Sequence, residues 1–246
     1  MTGLYRIGGK NIRIESIHES VQERCRDYRT EGEPDFTVQT TLSDLAYEQE
    51  RSDREAEAEG RNAVKWSSAY LEELAVYRKI AEKMPDYDTF LFHGSCVAVD
   101  NDGYLFTARS GTGKITHVRL WREMLGSRAV MVNDDKPLIH LLKDNGAVIY
   151  GTPWDGKHRL SSNILVPLRA VCLLERAEEN RIAPVTAQEA FPMLIQQTYR
   201  PADPAAMIRT MKLIDRLSQS VKLYKLRCNM DISAAELSYG TMKEEA

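Results

Sequence analysis

Lys114 follows Gly113 directly and stands three residues after Gly111, in the run Ala108, Arg109, Ser110, Gly111, Thr112, Gly113, Lys114. Alternating glycines let a backbone curl until successive N–H groups point into one concavity, and a helix beginning at the lysine adds its positive end to the same anion site. An ammonium group there would reach the β- and γ-phosphates of a nucleotide, so these residue types suit a phosphate-binding loop of the Walker A kind. The pattern is incomplete. Ala108 stands where a glycine is usual, and Ile115 stands where a serine or threonine hydroxyl would ligate Mg²⁺. A glycine-rich strand-to-helix turn with a chance lysine would show the same residues.

A second group with chemical capacity is Asp134 and Asp135, which follow Asn133 at the end of the apolar run 129–132. Phosphoryl transfer needs a γ-phosphate held in place, its charge neutralised, and an acceptor hydroxyl beside a proton-accepting group. One of these aspartates could accept the hydroxyl proton while the other holds Mg²⁺ directly or through water. The plainer alternative is a turn with a helix N-cap before Pro137, since aspartate favours both places. His93, next to Gly94, could join the site as an acid, base or metal ligand, or could be a hydrogen-bonded core residue. Asp155 and Lys157 lie in a tight, charged loop over 151–157, where they could touch metal or phosphate or simply mark an exposed turn. Trp154 in that loop reads as a lid or as packing. His117 reads as a packing or capping residue, while His18, His140 and His158 have no interpretable spacing.

These residues need elements to position them. A hairpin is predicted from the strands 90–99 and 103–107 around a turn at 100–103, and its second strand runs into the glycine loop. A helix over 116–125, closed by Gly126, should follow, with Val118, Leu120, Trp121 and Met124 facing a core. The run 129–132 is predicted as a strand buried on both faces that delivers its polar residues at its carboxyl end, where ligands bind in open α/β sheets. Further strands are expected at 147–150, 169–175 and 222–228, and helices at 186–197, 204–220 and from 233. Residues 4–41 read as a small α+β unit, 43–61 as a solvated helix or flexible connector, and 70–81 as an amphipathic helix stopped by Pro85. The predicted fold class is α/β: an N-terminal α+β module with a charged connector over 1–66, then a phosphate-loop domain over 67–246.

Composition narrows the function classes. With 43% hydrophobic and 28% charged residues the 246-residue chain can bury a sizeable core, and its net charge of -3 gives no general reason to expect nucleic acid. Four scattered cysteines form no close pair of the kind that binds zinc or cycles between thiol and disulfide, so free thiols in a reducing cytoplasm are expected. No apolar run is long enough to span a bilayer, and the first residues lack the succession of a signal peptide, so no membrane partner is expected.

Taken in order, His93 with Gly94 and Ser95, the run 110–114, Asn133 with Asp134 and Asp135, and Gly151 with Thr152, Pro153 and Trp154 resemble the HPr serine kinase-like family. Within it they are most similar to the small peptide serine kinases of ribosomally made, lasso-type peptide pathways. The resemblance covers residues 67 to 240. It implies a nucleotide domain like that of phosphoenolpyruvate carboxykinase, with a mixed sheet and flanking helices, and an activity that moves the γ-phosphate of ATP to a serine of a peptide or small protein with Mg²⁺. By resemblance, Ser110, Gly111, Thr112, Gly113, Lys114, Ile115 and Thr116 would bind the nucleotide. Asp134 would be the base, His93 and Lys114 would share in catalysis, and Asp135 and Asp155 would hold the metal. The family pattern has a metal-ligating serine at position 115, and isoleucine cannot take that role. A nucleotide-binding regulator or scaffold with weak or lost transfer is therefore the alternative reading. A small-molecule kinase is a third. The acceptor and the oligomeric state are not legible.

Overall fold

In a computed structural model the chain is described over residues 1–156 and 158–244. Packing divides it into two units, Met1–Lys83 and Met84–Ala246.

The first unit holds β1 (Thr2–Ile7), β2 (Lys10–Glu15), α1 (Glu19–Arg24), β3 (Phe36–Gln39), α2 (Leu42–Ala58) and α3 (Ser68–Lys83). β1 pairs with β2 antiparallel and β2 with β3 parallel. Alternation sets one face inward, so Tyr5, Ile7, Ile12, Ile14 and Val38 are buried. The predicted connector is a regular helix. Thr41 and Asp44 form a capping box at the start of α2, and Glu48 within the acidic run is buried against Arg78 at 2.5 Å. The boundary after Lys83, where the sequence reading puts it after residue 66, has an electrostatic cause. Glu72 of α3 is fully buried and accepts the backbone N–H groups of Ile17 (2.6 Å) and His18 (2.7 Å) and the Thr40 hydroxyl. A buried carboxylate needs such donors, so α3 belongs with the strands whose loop it binds.

The second unit is a mixed α/β structure built on a nine-stranded sheet. Its strands are β4 (Thr89–Leu91), β5 (Ser95–Val99), β6 (Asp102–Thr107), β7 (Ala129–Asn133), β8 (Leu138–Leu141), β9 (Ala147–Tyr150), β10 (Leu165–Arg176), β11 (Arg181–Pro184) and β12 (Lys222–Cys228). β10 is the hub. It pairs with β9 antiparallel through residues 165–167, with β6 in parallel through 168–173 and with β12 in parallel through 170–176. The carboxyl ends of β6, β10 and β12 therefore lie side by side.

Helices cover both faces. α5 (Ala187–Gln197) and α6 (Pro204–Ser220) bury Ala190, Leu194, Leu213 and Leu217 against Leu105, Val171 and Leu173. α4 (Lys114–Leu125) and α7 (Ile232–Glu244) bury Val118, Trp121, Ala235 and Met242 against Val97, Phe106 and Cys172. Caps set these helices: Thr186 and Glu189 form a capping box on α5, and the Asp203 carboxylate accepts the Ala206 amide at 2.7 Å on α6.

The hairpin forms where predicted, with Asp100 and Asn101 both at positive φ in a two-residue turn. The first predicted strand is in fact two, β4 and β5, because the amides of Phe92, His93 and Gly94 turn to the carbonyls of Pro137, Gln197 and Asp135. His93 thus lies in a break and not on a strand. β7 is buried at four of its five positions, but Val130 is 44% exposed, so one face of it is only partly covered. Cys25, Cys96 and Cys172 are buried free thiols and Cys228 is a half-buried one.

His117 packs inside. Its Nε2 lies 3.0 Å from the Ser238 hydroxyl, its ring meets Phe106 edge-on, and Trp121 donates to the same Ser238 at 2.8 Å, tying α4 to α7. Burial pushes its pKa from the ordinary 6.5 down to about 4. A group harder to protonate when folded supports stability fully above its unfolded value and loses that support as pH falls toward the folded one. Between pH 7 and pH 4 the chain should therefore lose about 3 kcal/mol more than a His117→Gln variant, which has no imidazole to protonate. Urea midpoints at the two pH values check this, and parallel losses would contradict it.

Candidate functional site

β6 ends at Thr107, residues 108–113 curl, and α4 starts at Lys114. Gly111 (φ +76°) and Gly113 (φ +116°) occupy left-handed backbone that side-chain-bearing residues avoid. No side chain caps α4, so its first N–H groups stay available to an anion. Ser110 is exposed, while Thr112, Ile115 and Thr116 are half-buried. Lys114 is not the solvent-facing side chain expected of an open loop. It is 8% exposed, and its ammonium donates to the Ala108 carbonyl at 3.1 Å. Burial lowers its pKa, partly offset by the charge of Asp135, which places that carboxylate within electrostatic reach of the loop.

The aspartate pair is held from three sides. Asn133, fully buried at the end of β7, accepts the amides of Asp135 (2.9 Å) and Lys136 (2.6 Å) on its side-chain oxygen. Its side-chain nitrogen donates to the Thr152 carbonyl at 3.1 Å, and the Thr152 hydroxyl donates to the Lys136 carbonyl at 2.8 Å. From β5, the Ser95 hydroxyl donates to the Asp134 carbonyl (2.8 Å), and the Gly94 amide donates to that of Asp135 (3.0 Å). Thr107, the last residue before the glycine loop, donates to the His93 carbonyl at 3.0 Å. Gly151 is needed for this closure, because a Cβ there would lie 1.8 Å from the Ser162 carbonyl oxygen.

The two carboxylates are driven apart in ionisation. Asp134 is 2% exposed; burial raises its pKa, the Gly156 amide at 2.6 Å opposes the rise, and the charges of Asp155 and Asp135 add to it. Its Oδ2 is buried and accepts no hydrogen bond. Burial also pushes Asp135 upward, but His93 Nε2 at 3.2 Å and the Lys136 ammonium at 2.9 Å outweigh it and hold Asp135 well below the usual carboxylate range. Adjacent carboxylates with opposed shifts are how a protein gives one an acid–base role and keeps its neighbour ionised.

Asp155 is half-buried and accepts the Ser161 hydroxyl at 2.9 Å. Trp154 is 6% exposed, which makes it packing and not a lid. Lys157 lies outside the described residues. Sequence reasoning missed several neighbours. Asn133 and Thr152 appear in the motifs, but their bracing role depends on a loop closing from 19 residues away. Arg176, at the end of β10, donates to the carbonyls of Gly111 and Thr112 and so fixes the loop from outside it. A cavity of about 790 Å³ opens beside the loop, between the carboxyl end of β10, the middle of β12 and helix α5, with Arg109, Thr112, Glu189 and Lys225 among its lining. No local sequence signal marks that convergence.

Mg²⁺ binds through one or two carboxylates, several waters and substrate phosphates, and does not need a protein cage. Among the described residues no three His, Cys, Asp or Glu side chains converge as a metal site. The ionised Asp135 and the nearby Asp155 nonetheless fit a metal that arrives with the nucleotide. Ile115 supplies no donor.

No family model and no curated protein matches the chain. Among solved structures, the HPr(Ser) kinase/phosphatase from Coxiella burnetii is similar at 12% identity, over 63% of this chain and 99% of that one, with a TM-score of 0.33. Among the described residues no helix is long and apolar enough to cross a membrane.

If Asn133 is the brace, Asn133→Ala leaves buried amide and carbonyl groups unpaired on two segments and should cost about 2–4 kcal/mol. Urea denaturation measures it, and a loss below about 1 kcal/mol would show that Thr152 and Ser95 suffice.

Proposed function

We propose that this chain is an ATP-dependent serine kinase that moves the γ-phosphate to a serine of a peptide or small protein. The observation that carries the reading is the opposed ionisation of Asp134 and Asp135, with Asp135 within electrostatic reach of Lys114. The loop 110–114 and the start of α4, including Thr116, would hold the phosphates. The Lys114 ammonium would turn from the Ala108 carbonyl to phosphate oxygen and neutralise charge there.

Asp134 then accepts the serine proton. Its carboxylate is desolvated and its free oxygen has no competing donor, so an incoming hydroxyl is the partner it lacks. His93 orients Asp135 through their 3.2 Å contact. Mg²⁺, held by Asp135 and Asp155, would neutralise phosphate charge when bound. ATP as donor puts the protein in the cytoplasm under this reading.

A second reading is favoured by Ile115, which sets a branched apolar side chain where a metal-ligating hydroxyl would serve. Under it, the chain binds nucleotide as a regulator and transfers phosphate weakly or not at all. Three variants separate the two. Lys114→Ala should cut transfer by orders of magnitude. Asp134→Asn should keep ATP binding and lose transfer about 10²- to 10⁴-fold. Ile115→Ser should lower the Mg²⁺ needed. The measurements are ATP binding and phosphate transfer to serine peptides, with circular dichroism to confirm folding. Normal transfer by folded Asp134→Asn removes it as the base, and ATP binding without transfer in every variant establishes the regulator.

A further inference from the structure

Ile115 and Asp134 line one cavity of about 120 Å³. Val118, Met131 and Leu160 supply the rest of its apolar wall, Ser95 adds a hydroxyl already given to the Asp134 carbonyl, and the Oδ2 of Asp134 is buried and accepts no hydrogen bond. A buried carboxylate oxygen without a donor costs stability and persists where a ligand supplies the donor. Arg122, half-buried, and His158, exposed, also line it. Neither side chain makes a hydrogen bond or ion pair with any described residue, whereas Arg119 beside them is paired with Glu123 at 3.0 Å. The apolar wall and the unpaired side chains of Arg122 and His158 thus call for different chemistry: a short aliphatic group ending in a hydroxyl against the first, and negative charge against the second.

We propose that this cavity seats the acceptor side chain, a serine or threonine hydroxyl, against Asp134, and that Arg122 and His158 select an acceptor with an acidic residue next to the hydroxyl-bearing one. The proposal rests on the kinase reading above. Ile115 then has a positive role as the wall against which the acceptor's methylene packs. In the transfer the bond between the γ-phosphorus and the β–γ bridging oxygen breaks, and one between that phosphorus and the acceptor oxygen forms. The acceptor proton passes to Asp134 Oδ2, and ADP leaves with the bond's electron pair.

The test uses the full chain with Mg·ATP and short synthetic peptides in which one serine stands between two aspartates, two alanines or two lysines. KM for phosphate transfer and, with a non-hydrolysable ATP analogue, the Kd of fluorescently labelled peptide are measured for wild type, Arg122→Glu and Arg122→Gln. Wild type should bind the aspartate-flanked peptide about fivefold tighter than the alanine-flanked one, the scale of an exposed ion pair. Arg122→Gln should flatten the preference, and Arg122→Glu should turn it toward lysine. Equal KM and Kd across the three peptides in wild type, or an aspartate preference kept by both variants, overturns the acceptor site. Serine phosphorylation without that preference leaves the kinase reading standing. Failure to bind the ATP analogue overturns both.

Discussion

Two adjacent carboxylates cannot both be ionised in a buried place without help, and this constraint organises the second unit. Asp135 receives the help: an imidazole and an ammonium sit on it, and Asn133 turns the backbone beneath it. Asp134 has no cation paired with it: the Gly156 amide donates to one oxygen, and the other is buried and accepts no hydrogen bond. The break between β4 and β5, the Asn133 turn and the closed loop after β9 are the scaffolding of that inequality. Each donates to or accepts from the backbone of 134–136, so the pair is rigid before any ligand arrives. Preorganised charge of this kind needs no rearrangement when charge develops in a reaction.

β10 brings the rest of the site to the same edge. Because its twelve residues pair with β9 at one end and with β6 and β12 at the other, the carboxyl ends of three parallel strands lie together. The glycine loop leaves from one of these ends, and Arg176 reaches back from another to fix it. Open sheets place ligands beyond the carboxyl ends of their parallel strands, and the cavity beside Arg109 lies there.

Much of this was legible in the sequence, because the signals are local. Gly111, Gly113 and Lys114 marked the loop through backbone conformation, Asp100 and Asn101 marked the hairpin turn, and the 3.6-residue spacing of Val118, Leu120 and Trp121 marked α4. What the sequence could not show depends on contacts far apart along the chain. β8 and β11 are four-residue strands with no alternation long enough to detect. Placing His93 in a break required the Pro137 and Gln197 carbonyls that pull its neighbourhood out of the ladder. Burial of Lys114, the unpaired oxygen of Asp134 and the clamp from Arg176 are properties of packing alone. The boundary after Lys83 was hidden because α3 has an ordinary amphipathic pattern, and only the partners of Glu72 say which unit it joins.

The functional account stands on the inequality between the two carboxylates, and that can be observed without substrate, metal or activity. Carbon-detected NMR of aspartate carboxyls, assigned through Asp134→Asn and Asp135→Asn, follows each group from neutral pH downward in the ligand-free protein. The account predicts that the first proton to bind goes to Asp134, above the ordinary aspartate value of 3.8, while Asp135 stays ionised to the lowest pH at which the protein remains folded. Protonation of Asp135 first, or of both at the ordinary value, would contradict it.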